Sequence, residues 1–272
     1  MSLENVIAAT PDGPATVATL ARDLRGLGVQ AGSTLMVHSS LSALGYVVGG
    51  APAVIDALLE VLGDRGTLVM PTHSGDLSDP AEWSAPPVPQ AWHQTLRETM
   101  PAYEPATTPT RIMGAIAENF RTRPGTMRSG HPRQSCGAAG RNAHRVIDDH
   151  PLDCAMGERS PLARLYDLNA WILLLGVVHD HNTSLHLAEY RARYPSKRNA
   201  SFGSPITIDG RRHWHVVDDL DFDDSDFARL GADYEHNGGQ IFVGCVGRAE
   251  ARLVRMRPLV DYAVRWMERN RR

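Results

Sequence analysis

The sequence has little cysteine and no long apolar run, and each shortage excludes a class of protein. Its three cysteines, Cys136, Cys154 and Cys245, are far apart and form no CxxC pair. This pattern excludes a disulfide framework and is typical of a reducing cytoplasm. No window reaches the ~18 consecutive apolar residues of a transmembrane helix, and the first residues lack the pattern of a signal peptide. We therefore expect a cytoplasmic protein without a membrane partner.

The sequence also lacks a large excess of either charge. Its 28 Lys and Arg residues oppose 31 Asp and Glu residues, so the net charge is −3. Proteins that bind nucleic acid usually carry a basic excess on one face, and this balance argues against such a partner. A hydrophobic fraction of 42% in 272 residues is ordinary for a globular protein and supports a sizeable core.

One stretch departs from this balance, because aspartate is concentrated between residues 209 and 233. The basic residues in the same stretch are Arg211, Arg212 and Arg229. Such a cluster is either a solvated loop or a binding site for a polycation. The aspartates are Asp209, Asp218, Asp219, Asp221, Asp223, Asp224, Asp226 and Asp233.

Short apolar runs alternate with helical patterns along the first 70 residues. Apolar residues recur at helical spacing over 14–28 and 52–62, and the apolar runs 34–38 and 66–70 are typical of buried strands. The most apolar run, 171–178, predicts a central strand. Alternation of helix and strand with short connections predicts an α/β fold with parallel neighbours in the sheet.

The rest of the chain is less regular. Seven prolines predict that residues 73–110 are largely irregular, and long irregular segments inside a compact domain usually carry function. Asp209 and Gly210 predict the turn of a β-hairpin. Further helices are expected at 111–121, 138–150, 183–194, 225–237 and 258–269, and further strands at 240–246 and 251–254.

Small polar side chains follow two of the predicted strands. His38, Ser39 and Ser40 end the first strand, and Thr72 and His73 follow the second. Hydroxyls and free backbone N–H groups at one edge of a sheet suit a cofactor's phosphates or amides, or a developing oxyanion. The sequence contains neither GxSxG nor GxxxxGKS/T, so the common serine-hydrolase and nucleotide-phosphate loops are excluded.

The densest polar cluster, HDHNTSLHLAE at residues 179–189, follows the strongest predicted strand. Open α/β sheets bind ligands at the carboxyl ends of their strands. His186 lies in the first turn of the next helix, and Glu189 lies at i+3 on the same face. A histidine beside a carboxylate is the minimal general base, because the carboxylate selects the tautomer and stabilises the imidazolium. The alternative is a capping cluster with a buried histidine.

Two other functions remain open at this point. His179, His181 and His186, with Asp180, could bind zinc in a metal-dependent hydrolase, although their spacing matches no zincin or zinc-finger signature. A non-catalytic module could instead use the aspartates to bind a sugar or a polyamine.

Together these segments resemble the aminoglycoside 3-N-acetyltransferase family. The resemblance extends over about residues 15–270, and the order and spacing of its segments are specific. The segments are 35–41 (LMVHSSL), 66–71 (GTLVMP), 128–132 (RSGHP), 137–140 (GAAG), 160–165 (SPLARL), 173–177 (LLLGV) and 182–190 (NTSLHLAEY).

The resemblance implies one domain over residues 1–272 with a three-layer α/β/α fold. Its central sheet is expected to be mixed and mostly parallel, with a C-terminal β-hairpin and helix added. The implied reaction is acetylation of the 3-amino group of a deoxystreptamine aminoglycoside, which confers resistance. Acetyl-CoA is the implied cosubstrate, no metal is expected, and the protein is expected to be a monomer or a homodimer.

The resemblance also implies roles for individual residues. The histidine of the family's LHxAE segment is His186, the implied catalytic base, and Glu189 would orient its ring. The acids after the hairpin that look like those holding the antibiotic's amines are Asp221 and Asp223. Asp224 and Asp76 are further candidate substrate-binding residues, although the segment that begins at Asp76 departs from the family's pattern. The loop at His38 looks like part of the family's acetyl-CoA site. The candidate cofactor-binding residues are His38, Ser39, Ser40, Leu41, Thr72, His73, Arg111, Met113 and His131. Arg128 and Arg133, like Arg111, are candidate partners of CoA phosphates, with a solvated surface as the alternative.

Overall fold

The computed structural model describes residues 3–8, 10–11 and 13–272. Its helices are α1 Leu3–Ala8, α2 Val17–Leu27, α3 Gly50–Leu62, α4 His93–Thr99, α5 Gly114–Arg121, α6 Ala143–Ile147, α7 Pro161–Asp167, α8 His186–Arg191, α9 Phe227–His236 and α10 Met256–Asn270. Its strands are β1 Thr34–Ser39, β2 Thr67–Pro71, β3 Met127–Arg128, β4 Cys136–Gly140, β5 Trp171–Leu175, β6 Asn199–Ile208, β7 Arg211–Leu220, β8 Ile241–Val246 and β9 Ala249–Arg255. Short 3₁₀ helices are Leu41–Leu44, Gly75–Leu77, Pro80–Glu82, Gln90–Trp92, His179–His181 and Thr183–Leu185.

Within the described ranges, seven strands form one mixed sheet in the order β3-β4-β2-β1-β5-β9-β8. The central strand β1 pairs in parallel with β2 and with β5. The four outer pairs are antiparallel. The sheet is therefore mixed, as predicted, but its parallel pairing is confined to the centre and "mostly parallel" was wrong. Short connections explain two of these pairs, β3–β4 and β8–β9, because strands joined by a short connection readily pair antiparallel.

Helices cover both faces of this sheet, which confirms the predicted three layers. Alternate residues of β1 point to opposite faces: Leu35 and Val37 pack with α2, α3 and α5, whereas Met36 packs with α6–α10. Strands buried on both faces read as continuous apolar runs, and this is why β1, β2 and β5 were recognisable in the sequence. None of the described helices is long and apolar enough to cross a membrane.

The helix predicted over residues 138–150 begins later in the structure than predicted. Residues 136–140 form β4 and pair antiparallel with β2, and only Ala143–Ile147 is helical. Small residues predict little about local structure, and the ladder with β2 decides the conformation here. The run 171–178 likewise ends as a strand at Leu175, because Gly176 has a φ of 71° and turns the chain away.

The predicted β-hairpin is present, and β6 and β7 pair over ten residues around the turn at Asp209 and Gly210. It forms a separate two-stranded sheet. Both turn residues have positive φ, of 50° and 73°, as a tight hairpin turn requires.

Buried Arg128 holds the irregular segment 73–110 against the sheet. Its guanidinium donates to the Thr72 carbonyl at 2.6 Å and to the Ser74 hydroxyl at 2.7 Å. It also donates to the carbonyls of Pro105 and Thr108. Burial lowers the pKa of Arg128 from its ordinary value. All of these contacts are internal, so the structure corrects the prediction that Arg128 binds a CoA phosphate.

Candidate active site

A cleft of about 1210 Å³ opens at the carboxyl ends of β1, β2 and β5. Parallel strands end at the same edge of a sheet, and the loops that leave them form the walls. Antiparallel β9 begins at this edge and adds Glu250 and Arg252, and Arg248 directly before β9 also lines the cleft. Other lining residues are Ser42, Ile112, Gly114, Asp180, His181, Asn182, Phe222 and Phe227.

His186 borders the cleft at the first residue of α8. Its Nδ1 donates to Oε2 of Glu189 at 2.5 Å, because a carboxylate only accepts. The ring packs against Phe222 and Phe227, with centroids 5.0 and 4.9 Å away. The His186 side chain is 12% exposed, and its Nε2 has no hydrogen-bond partner among the described residues. Nε2 is therefore the nitrogen available to a ligand.

Glu189 is completely buried and held at both carboxylate oxygens. While Oε2 accepts from His186, Oε1 accepts from the backbone N–H of Asp223 at 3.0 Å and from Nη1 of Arg271 at 2.7 Å. The helical spacing predicted from the sequence thus brings His186 and Glu189 together. The partners of Oε1 come from distant parts of the chain.

Two further imidazoles, those of His38 and His73, line the cleft. Burial, with the positive charge of His181, His179 and His186, lowers the pKa of His38 to about 3. Burial, with His186 and His38, lowers the pKa of His73 to about 3. Within the described structure, the buried Nε2 atoms of His38 and His73 have no hydrogen-bond partner. Both rings are neutral at physiological pH and add no positive charge beside His186.

The other predicted cofactor residues divide into two groups. Ser39, Ser40, Leu41 and Met113 line the cleft. Three lie outside the cleft lining: Thr72, Arg111 and His131.

Each residue outside the lining has a partner of its own. Thr72 is buried, and its hydroxyl contacts Ser135 at 3.1 Å. Arg111 pairs with Asp76 at 3.2 Å on the surface. His131 lines a separate cavity of about 20 Å³ under the β-hairpin, and its Nδ1 accepts from two backbone N–H groups. The structure therefore does not place His131 at the cleft, because the turn that carries it folds under the hairpin.

Arg133 is also turned away from the cleft. Its guanidinium stacks on the ring of Phe202, 3.9 Å from the centroid, and the side chain is buried against the β-hairpin. The structure corrects its prediction as a phosphate partner for the same reason as that of Arg128.

Of the predicted acids, Asp224 lines the cleft. Asp221 pairs with Arg198 at 2.8 Å, Asp223 accepts from the hydroxyl of Ser225 at 2.5 Å, and Asp76 pairs with Arg111. The cleft also presents Asp180, which the sequence suggested only as a zinc ligand, and Glu250, to which the sequence gave no role.

Several residues of the site escaped the sequence reasoning. Phe222 and Phe227 interrupt the acidic run. Two aromatic side chains in such a run indicate that the segment packs against the site. Arg248 directly precedes β9 and Arg252 lies within it, so the position of both depends on the strand order that places β9 beside β5. For Arg271 the sequence offered no signal.

The zinc alternative required His179, His181 and His186 to converge. In the structure, buried His179 lies 3.3 Å from Glu235, and exposed His181 contacts Asp180 at 2.6 Å. No group of three or more His, Cys, Asp or Glu side chains among the described residues is placed to hold a metal ion. The metal-dependent hydrolase therefore has no support in the geometry.

Comparison with known proteins adds independent findings. Residues 36–268 match the family described as aminoglycoside 3-N-acetyltransferase. The SPbeta prophage-derived aminoglycoside N(3′)-acetyltransferase-like protein YokD of Bacillus subtilis is 44% identical over 260 residues, covering 94% of each chain. Its crystal structure matches with a TM-score of 0.95 at 42% identity over 98% of each chain.

Two further relatives carry more specific descriptions. Aminoglycoside N(3)-acetyltransferase VII of Streptomyces paromomycinus is 39% identical over 272 residues, covering 94% of this chain and 93% of its own. A structure described as AAC-IIIb binary with CoASH matches with a TM-score of 0.84 at 32% identity, covering 94% of this chain and 97% of its own.

Proposed function

The chain belongs to the aminoglycoside 3-N-acetyltransferase family, and on that premise we propose that His186 is the base with which it acetylates the 3-amino group of a deoxystreptamine aminoglycoside. The acyl donor of the family is acetyl-CoA, and a relative has been crystallised with CoASH. The observation that carries the proposal is the pairing of His186 with buried Glu189 at the edge of a large cleft. In a cell that meets the antibiotic, this activity would confer resistance.

The reaction needs a base, because an ammonium group has no lone pair with which to attack. His186 takes the proton at Nε2, and Glu189 stabilises the resulting imidazolium through Nδ1. Histidine is the side chain that most often serves as a general base near neutral pH. Acetyl-CoA, when bound, supplies an acetyl group activated as a thioester.

The cleft has the size and lining for two substrates. Its volume of about 1210 Å³ exceeds the ~300–1,000 Å³ of ordinary small-molecule pockets. Ser39, Ser40 and Met113 would hold the acetyl donor, together with the neutral imidazoles of His38 and His73. Because both imidazoles stay uncharged, they do not oppose the imidazolium that forms on His186.

The acidic residues of the cleft suit a polycationic acceptor. Asp224 and Asp180 line the cleft, and carboxylates attract the ammonium groups that remain protonated during the reaction. Glu250 also lines the cleft but already pairs with Arg252 at 2.5 Å. Neutral sugars can donate hydroxyl hydrogen bonds to these carboxylates but form no ion pair with them, so we expect selectivity for amino sugars.

The proposal is tested by measuring free thiol released from acetyl-CoA with a panel of aminoglycosides. The parent protein should turn over deoxystreptamine aminoglycosides and yield the 3-N-acetyl product by NMR. His186→Ala should lower kcat by ~10²–10⁴-fold, the usual effect of losing a general base, with little change in CoA affinity or melting temperature.

The control is His236→Ala, which removes an exposed histidine of α9 that is not part of the cleft lining. It should retain parental turnover. A folded His186→Ala variant that loses less than about tenfold in kcat would assign the base to another residue. A parent protein that releases no thiol with any aminoglycoside would remove the proposed function itself.

A further inference from the structure

Arg271, which follows α10, contacts the carboxylate of the His186–Glu189 pair from a distant part of the chain. It is 7% exposed, and its Nη1 lies 2.7 Å from Oε1 of Glu189, the oxygen that His186 does not use. Its other face pairs with Asp226, at 2.6 Å between Nη2 and Oδ1 and 3.0 Å between Nε and Oδ2. Burial alone lowers the pKa of Arg271, but the hydrogen bonds to Asp226 and Glu189 outweigh it and raise that pKa.

Aromatic and backbone contacts fix this guanidinium in place. It lies over the ring of Tyr194 at 5.2 Å and near the ring of Phe227 at 5.8 Å. Its Nη2 also donates to the Asp223 carbonyl at 2.5 Å. Phe227 packs against the His186 ring as well, so the same side chain contacts the base and the arginine.

We propose that Arg271 is a positioning residue that locks Glu189 onto His186, and that the balance between Arg271 and Asp226 sets the pH above which His186 acts as a base. The inference deepens the proposed function and rests on it for the role of His186.

The geometric part follows from the hydrogen bonds of one carboxylate. Glu189 is completely buried, so a missing partner at Oε1 is not replaced by bulk water. Without Arg271, Oε1 keeps only the Asp223 N–H among its described partners, and the carboxylate is free to rotate. A rotated carboxylate holds neither the tautomer nor the ring plane of His186.

The electrostatic part follows from counting charges. Glu189 and Asp226 carry two negative charges and Arg271 one positive charge, so the network is at −1 when His186 is neutral and at zero when it is protonated. Removing Arg271 makes the network more negative and favours the imidazolium. If the negative charge of Asp226 is removed, the positive charge of Arg271 is balanced by Glu189 alone. This change disfavours the imidazolium form of His186.

Other charged and titratable groups face this network from neighbouring segments. They are Asp223 and Asp224 before α9, Tyr194 and Lys197 after α8, and the cleft imidazoles of His38 and His73. None of them is altered in the variants below, so their contribution cancels in the comparison.

The experiment uses Arg271→Gln, Arg271→Lys and Asp226→Asn. Asp226 precedes α9 and makes no side-chain capping bond to it, so Asn should leave the helix intact. The ionisation of His186 is followed by NMR of ¹³C-labelled histidine, assigned with His186→Gln. The acid limb of kcat/KM is measured in parallel by thiol release with the best aminoglycoside of the panel. The matched control is Arg269→Gln, which removes the same charge from an exposed position of α10.

Opposite displacements are expected. Arg271→Gln should move the His186 titration and the acid limb to higher pH by roughly 0.5–1 pH unit, and Asp226→Asn should move both to lower pH by a similar amount. Arg271→Gln should also lower kcat at its pH plateau about tenfold or more. Arg271→Lys should keep a titration close to the parent's while recovering only part of kcat, and Arg269→Gln should match the parent.

The inference would be overturned if the His186 titration moved in the same direction in Arg271→Gln and Asp226→Asn, or if it moved in neither variant. If Arg271→Gln does not fold, the lowered titration in Asp226→Asn and the partial kcat of Arg271→Lys decide the question. Failure of the proposed function is separate, because it appears as full turnover in His186→Gln, whereas the NMR titrations report the coupling without any turnover.

Discussion

At the level of single residues, burial and partners give different chemistry to side chains of one type. His186 keeps one nitrogen on a buried carboxylate and the other available to a ligand. His38 and His73 share the same cleft, but burial keeps them neutral. The aspartates divide in the same way, because Asp221 is paired with Arg198 whereas Asp224 faces the cleft.

Asp224 and Asp221 should contribute unequally to binding of the aminoglycoside. Asp224→Asn should raise KM for the aminoglycoside roughly tenfold, the lower range for loss of a charge-assisted hydrogen bond. Its KM for acetyl-CoA should hardly change. Asp221→Asn is the matched comparison and should affect KM less, since Asp221 already pairs with Arg198. Steady-state kinetics for both substrates measure the difference, and a larger effect at Asp221 would reverse the assignment.

At the level of elements, the sheet decides conformations that local sequence leaves open. The run 137–140 contains only glycine and alanine, yet it becomes part of β4 through its ladder with β2. Gly140 ends this strand with a φ of 111°, and a Cβ there would overlap the carbonyl oxygen of Gly66. Gly125, with a φ of 85°, has open space around the same position.

These two glycines make a matched pair of substitutions. Gly140→Ala and Gly125→Ala should each lose about 1–2 kcal/mol of unfolding free energy to backbone strain. Gly140→Ala should lose roughly 1–3 kcal/mol more, because the backbone must move to accommodate the methyl group. Urea unfolding of the two variants measures the difference. Equal losses would show that β4 can move away from Gly66 without cost.

At the level of the whole molecule, the two cores share one sheet. Residues of β1 and β5 contribute to both cores. Loss of either core would therefore disrupt the strands against which the other core packs. On this ground we propose that the chain unfolds as a single domain. The molecule also buries several histidines that must stay neutral, which links its stability to pH.

The pH dependence gives the prediction at this scale. Burial lowers the pKa of His150 to about 4, while an unfolded histidine titrates near ~6.5. Between those values the unfolded chain binds more protons, so stability falls as the pH falls from 6.5 to 4. His38 and His73 contribute in the same direction, because burial lowers the pKa of each to about 3.

Urea unfolding between pH 7.5 and 4.5 tests this dependence. His150→Gln should reduce the slope of unfolding free energy against pH, and the reduction should correspond to at most about one proton bound on unfolding. The variant also loses hydrogen bonds to Ser129 and Ala155, which lowers stability at every pH without changing the slope. His236→Gln should leave the slope unchanged. An identical slope in all three proteins would mean that His150 is not titrating on unfolding.

The amino-acid sequence by itself determined those features whose causes lie within a few residues. Continuous apolar runs marked β1, β2 and β5, because strands buried on both faces need no polar side. Asp209 and Gly210 marked the hairpin turn. The i+3 spacing brought His186 and Glu189 together, since helical geometry places such residues on one face.

Tertiary structure alone decided what depends on distant segments meeting. Arg271 reaches Glu189 across 82 residues, and strand order brings β9 beside the cleft. The tertiary structure also buries His131 under the hairpin and pairs Asp221 with Arg198. His131 and Asp221 are thereby kept out of the cleft. The physical reason is that these contacts are chosen by packing and strand pairing over the whole chain, and a segment's own composition does not record which partner it will meet.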